Sequence, residues 1–167
     1  MKLVPHPRHP PLSVTAVDAS VWRDAGRWHF RFIVDGAVEL VVPNRAATGR
    51  ADELWRTTCF EAFVGGVGTS YCELNFSPSR QWAAYAFDAP RQGMRNQAAE
   101  VEVWLEGGKD WIAVEAAVEA ELISEIPLGL TAVIDERGGR KSYWALAHNA
   151  EQPDFHDPSC FLARLPE

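Results

Sequence analysis

Apolar and polar positions alternate with period two along most of the chain, the spacing of strands that bury one face. Trp28, Phe30, Phe32 and Val34 alternate with His29, Arg31 and Ile33. Asp35-Gly36 is a tight-hairpin signal, and Val38, Leu40 and Val42 follow as the expected returning strand. Val101-Val103-Leu105 and Ile112-Val114-Ala116-Val118 alternate in the same way. The segment from Ala113 to Ser124 is rich in Ala and Glu, but its alternation and the preceding Gly107-Gly108 turn favour a long strand over a helix. Asn44 to Arg56 reads as a loop with at most one helical turn. Gly65-Gly66, Ser77-Pro78-Ser79, Gly107-Gly108 and Gly138-Gly139 supply turns between the alternating runs. Short strands with regular turns predict an all-β, single-domain protein, a jelly-roll-like antiparallel β-sandwich of roughly nine to eleven strands. Residues 1–11, broken by Pro5, Pro7, Pro10 and Pro11, read as a Pro-rich extended arm, leaving 12–167 for the sandwich.

One hairpin is polar on the wrong face for a simple surface. With Gly65 to Thr69 as the loop, Val64 stands opposite Ser70, Phe63 opposite Tyr71, Glu61 opposite Glu73 and Cys59 opposite Asn75. Phe60, Ala62, Val64, Cys72, Leu74 and Phe76 then share a wholly apolar face, which must be the core. The other face carries two carboxylates whose Cβ atoms lie about 5 Å apart. Such a pair requires cationic partners, a raised pKa or full hydration. Phe63 and Tyr71 beside it argue against full hydration, so this face is expected to be a partly enclosed groove. Arg56 and Arg95 are the candidate partners for the acids. The next strand turns through Ser77-Pro78-Ser79-Arg80; a three-residue loop with Arg80 left-handed puts Ala83, Tyr85 and Phe87 in the groove and Trp82, Ala84 and Ala86 in the core. A two-residue loop would instead send Arg80 and Trp82 into the groove. Trp82, Trp104, Trp111 and Trp144 are read as core residues.

Composition narrows the partners. The 167 residues are 47% hydrophobic with a formal charge of -7, which argues against nucleic acid and against an anionic membrane surface. Of the 16 basic residues, 13 are Arg and 3 Lys, a bias toward fixed, forked contacts. Cys59, Cys72 and Cys160 lack the spacing of a zinc site or a disulfide framework, and no export signal or membrane-spanning apolar run is evident, so a cytoplasmic location is expected. No cofactor is expected. Asp52-Glu53 lacks the dense pattern of a calcium loop.

The string from Asp52 through Trp55 and Thr58-Cys59-Phe60-Glu61-Ala62-Phe63 resembles the signature strand of family 9 carbohydrate-binding modules and, most nearly, of bacterial DOMON-like proteins. Tyr71-Cys72-Glu73-Leu74-Asn75-Phe76-Ser77-Pro78-Ser79, Gln81-Trp82-Ala83-Ala84-Tyr85, Trp144 to His148 and Asp154 to Phe161 extend the likeness. The resemblance implies a jelly-roll sandwich whose concave sheet binds a sugar or, in some relatives, haem. Trp55 matches the stacking position and Glu61 the hydroxyl acceptor; Phe155 or Trp144 corresponds loosely to a second stacking aromatic. Arg80 stands where the family turn usually has Gly. Independently, a sugar ring wants a flat aromatic surrounded by carboxylate and amide groups, which Trp55, Phe63, Tyr71, Tyr85, Glu61, Glu73 and Asn75 supply. Trp55 reads equally as a lid on the core, and the glutamates as solvated surface acids. His156, between Phe155 and Asp157-Pro158, is either a hydrogen-bonded loop residue or a ligand contact. The expected function is therefore a non-catalytic module for a carbohydrate or other small molecule. The alternatives are binding of haem or another apolar ligand, with Met94 and a histidine (His148 or His156) as axial pair, and a protein-interaction domain.

Overall fold

Period-two segments become strands wherever their apolar face finds cover, and here the cover comes from a sheet folded over on itself. A computed structural model describes residues 1–166. Over them the protein is all-β, with only short 3-10 turns as helical structure. The strands are β1 (Lys2–Pro5), β2 (Ala16–Asp24), β3 (Arg27–Asp35), β4 (Gly49–Arg50), β5 (Cys59–Gly65), β6 (Tyr71–Phe76) and β7 (Gln81–Phe87). They continue as β8 (Arg95–Asn96), β9 (Glu100–Gly107), β10 (Trp111–Glu119), β11 (Pro127–Glu136), β12 (Arg140–Ala145) and β13 (Ala163–Arg164). The spatial order is β4-β7-β6-β5-β11-β12-β1-β2-β3-β10-β9, with β13 on β11 and β8 on β7. All pairings are antiparallel except the short β4–β7 pair. Strand β1, inside the Pro-rich stretch, pairs with both β2 and β12 and so joins the two halves into one nearly closed, barrel-like sheet.

The two halves face each other across the main core. Trp28, Phe30, Phe32 and Val34 of β3 point inward with Val114, Ala116 and Val118 of β10. They meet Phe60, Ala62 and Val64 of β5, Leu74 and Phe76 of β6, and Leu130, Ala132 and Ile134 of β11. The Phe30 and Phe76 rings lie 5.5 Å apart and those of Phe32 and Phe60 5.1 Å, so aromatic pairs tie the halves together. The expected core face of the β5–β6 hairpin is therefore realised. The segment from Ala113 is strand as its alternation requires, but β10 ends at Glu119 and Ala120 to Ser124 lie outside it. Leu54–Arg56 forms the one helical turn expected between Asn44 and Arg56.

Three expectations fail. Gly36 has the left-handed φ of 75° but opens a 3-10 turn over Ala37–Glu39 rather than a hairpin. The hairpin partner of β3 is β2, which precedes it through Ala25-Gly26 at φ 47° and 81°. Both central residues of that turn take the positive φ of a type I′ geometry. The other edge of β3 is filled by β10, so no place remains for a strand at 38–42. Trp104, on the solvent side of β9, is 43% exposed rather than core, and Trp111 is half-buried outside the main core. Finally, the β5–β6 register is displaced by two residues. β5 runs on to Gly65 opposite Tyr71, so Glu61 faces Asn75 and Phe63 faces Glu73. The glutamates are thus diagonal neighbours on one face, not directly opposed. The turn beyond β6 matches its expectation: Arg80 has φ 80°, and Trp82 falls opposite Phe76.

Candidate ligand-binding site

The second face of β5, β6 and β7 is also covered, and this cover creates the site. Cys59, Phe63, Tyr71, Ala83, Tyr85 and Phe87 form a separate apolar cluster with Leu54 and Phe161. Phe161 comes from the C-terminal segment and packs into the space left by Gly129, where a Cβ would lie 2.7 Å from its ring. Between this cluster and the loops lies a cavity of about 1050 Å³. Trp55, Glu61, Phe63, Glu73, Tyr85 and His156 line it. Tyr71 and Asn75 sit behind that lining and hold two of its members. Trp144 is buried in the main core, whereas Phe155 lies on the cavity wall.

Glu61 and Glu73 form the floor, only 3% and 6% exposed. Across the strand pair Thr131 faces Glu61, and its hydroxyl donates to Glu61 Oε2 at 3.1 Å. Asn75 Nδ2 donates to Glu73 Oε1 at 2.8 Å. Burial, reinforced by the neighbouring Glu73 charge, pushes the Glu61 carboxyl up to about 8. Burial likewise raises Glu73. The expected arginine partners are elsewhere: Arg56 pairs with Glu53 at 2.7 Å and Arg95 with Asp88 at 2.6 Å. Of the three resolutions open to a pair of close acids, a raised pKa is the one adopted.

His156 completes the floor. Its Nδ1 lies 2.6 Å from the Tyr71 hydroxyl, which itself accepts the Arg91 backbone N–H at 3.1 Å. With the tyrosine proton given to Nδ1, the ring proton sits on Nε2, which lies 3.8 Å from Glu73 Oε2. Burial, with Arg91 adding repulsion, lowers His156 to about 4, so the ring is neutral at ordinary pH. Tyr71 stacks on Phe87 at 4.8 Å and anchors this wall. On the rim, Tyr85 donates to Asp52 at 2.6 Å, and Arg50 lies over its ring. Trp55, 48% exposed, stands at the mouth with Arg56 over its face. It is the largest accessible flat surface on the lining.

Sequence reasoning missed Arg91, Lys141, Tyr143 and Asn96, which also line the cavity. Lys141 and Tyr143 alternate along β12 with buried Ser142 and Trp144, a pattern that marks their face once β12 is placed beside β11. Arg91 sits in a tight loop at φ 59° and carries no periodic signal. His148 is not part of the lining; it packs edge-on against His6 at 4.9 Å and bonds the Val4 carbonyl. Met94 does reach the cavity.

No known protein family matches the chain, and no curated protein sequence matches it. The fold does match solved structures. One, a candidate carbohydrate-binding protein from Bacteroides uniformis ATCC 8492, superposes with a TM-score of 0.60 over 87% of this chain and 75% of that one, at 13% identity. At so low an identity the likeness concerns the fold, and it places this chain among all-β proteins of that architecture.

Proposed function

We propose that the protein is a non-catalytic binding module that takes a carbohydrate, or a molecule containing one, in the cavity beside β5, β6 and β7. The carrying observation is a floor of two buried acids beneath aromatic walls, with Trp55 exposed at the mouth. A sugar offers a CH face to such a tryptophan and hydroxyls to such acceptors. The fold neighbour's description as a candidate carbohydrate-binding protein supports the same reading, as does the DOMON-like resemblance, with its jelly-roll interpretation of the folded sheet. In this reading Trp55 stacks on the ligand, Glu61 and Glu73 meet its hydroxyls, and Tyr71 and Asn75 hold His156 and Glu73 in place. A glycosidase is disfavoured because its two carboxyl groups must flank the scissile bond, whereas these acids rise from adjacent strands of one floor. Axial haem ligation by His156 is disfavoured because Nδ1 is bound to Tyr71 and Nε2 is turned to Glu73.

Calorimetric titration of the folded protein against a panel of oligosaccharides tests the proposal. Binding to at least one member, weakened about tenfold or more in Trp55→Ala, is expected. Silence across the panel, or a Soret band on haem addition that disappears in Met94→Ala, overturns it.

A further inference from the structure

The cavity floor holds two carboxyl groups that no cation of the described residues pairs with. Every basic residue near the cavity is committed to another acid: Arg56 to Glu53, Arg91 to Asp154 at 2.8 Å, and Lys141 to Asp135 at 3.7 Å. Among the described residues no Lys or Arg pairs with Glu61 or Glu73, and the one nearby base, His156, is neutral. Glu61 is almost wholly buried, lines the cavity, and uses a single hydrogen bond, to Oε2; no donor of the described residues reaches its Oε1. A buried acid of this kind either keeps its proton or takes up a positive charge.

From this geometry we infer that the cavity recognises a ligand bearing a protonated amine, the ammonium group seated against Glu61 and Glu73. The inference rests on reading the cavity as a small-ligand site and adds the chemical class of the ligand. A neutral hydroxyl can donate to Glu61 but brings no charge to the pair, whereas an ammonium brings both charge and up to three donors. The aromatic walls at Phe63, Phe87 and Phe155 suit a cation better than they suit an anion, since ring faces are electron-rich. They also disfavour a hard metal ion, which needs six or more oxygen ligands. Glu61 retains its proton because burial and the Glu73 charge disfavour its ionised form and no cation of the described residues pairs with it.

The test uses the whole protein at pH 6 and low salt, with three tetrasaccharides of the same β-1,4 backbone: the glucosamine tetramer, chitotetraose and cellotetraose. They differ at C2 as ammonium, acetamide and hydroxyl. The glucosamine tetramer is expected to bind at least about tenfold more tightly than the other two. Glu61→Gln should abolish that preference while circular dichroism stays unchanged, and Glu73→Gln gives the same readout should the first variant fail to fold. Equal affinity for all three tetramers overturns the amine inference and leaves the carbohydrate reading standing. Spermidine binding as tightly as the glucosamine tetramer upholds the amine and overturns the sugar. No binding by any of the four to folded protein overturns both.

Discussion

Glu61 concentrates the energetics of the site in a single side chain. Its carboxyl is raised from 4.5 to about 8 by burial and by Glu73, so the folded protein holds a proton that the unfolded chain has released across that interval. Stability from this group therefore falls as pH rises from about 4.5 to 8, by an amount on the order of a few kcal/mol. His156 acts in the opposite sense. Its folded value of about 4 lies below the ordinary 6.5, so its contribution is present above 6.5 and is lost as pH falls toward 4. The two slopes oppose each other between about 4.5 and 6.5, and above 6.5 His156 no longer opposes the Glu61 slope. Urea midpoints of the wild type should accordingly fall between pH 6.5 and 8, and those of Glu61→Gln should stay level. A parallel decline in both proteins would show that Glu61 is ionised throughout. The sequence identified both glutamates as sharing a face with Phe63 and Tyr71, and so anticipated an unusual environment. It offered His156 as a candidate for the same site but no bond between them, and it did not supply Thr131, because such contacts join segments far apart in the chain.

At the scale of elements, the β5–β6–β7 meander separates what alternation specifies from what it leaves free. Side chains repeat every two residues, so a register error of two leaves every side chain on its own face while changing every partner. That is why the core face was legible and the Glu61–Glu73 opposition was not. The decision lies in the loop, where Gly66 N–H bonds the Ser70 carbonyl at 2.8 Å and lets β5 continue to Gly65. The β6–β7 turn was legible because Pro78, locked at negative φ, cannot take the positive φ that a two-residue type I′ turn demands, which favours the three-residue loop. It places Arg80 at φ 80°, a conformation that costs a side-chain-bearing residue roughly 1–2 kcal/mol. Arg80→Gly relieves this and gives back part of it through unfolded-state entropy, so a net gain of about 0.5–1 kcal/mol is expected in chemical denaturation. Arg80→Val should lose stability instead, and the opposite ranking would place the turn in another geometry. Gly36 offers the contrasting lesson: it needs its positive φ, as the Asp-Gly pair suggested. A Cβ there would meet the Ser13 carbonyl oxygen at 2.4 Å, so it serves a close backbone crossing rather than a hairpin.

The molecule as a whole is held by long-range ties that no local pattern announces. Glu136, at the end of β11, is fully buried, and its carboxylate accepts from the backbone N–H groups of Leu12 and Ser13 at 2.6 Å and of Val14 at 3.1 Å. Burial opposes its charge, yet these bonds and the Ser13 hydroxyl prevail and hold its pKa below the usual range. It thereby fastens the segment leading into β2 to the other half of the sheet. Glu136→Gln removes the charge from several of these bonds at once, and a loss of roughly 2–4 kcal/mol in thermal or urea denaturation is expected at neutral pH. Because the folded value is depressed, the wild-type advantage exists above the unfolded carboxyl pKa and disappears as pH falls through the folded one. An unchanged midpoint at neutral pH would show that the carboxylate is not a tie.

Period-two alternation and turn chemistry were enough to identify an all-β chain, the inward faces of β3, β5, β6 and β10, and the odd polar-aromatic face that became the cavity floor. These are local properties, set by side-chain direction along a strand and by the φ that a turn demands. Folding in three dimensions chose the rest: which strands are neighbours, the two-residue register of the β5–β6 hairpin, and the closure of the cavity by Phe155, His156 and Phe161 from the far end of the chain. Such choices depend on loop hydrogen bonds and on packing between residues many positions apart, for which alternation gives the same signal whether they meet or not.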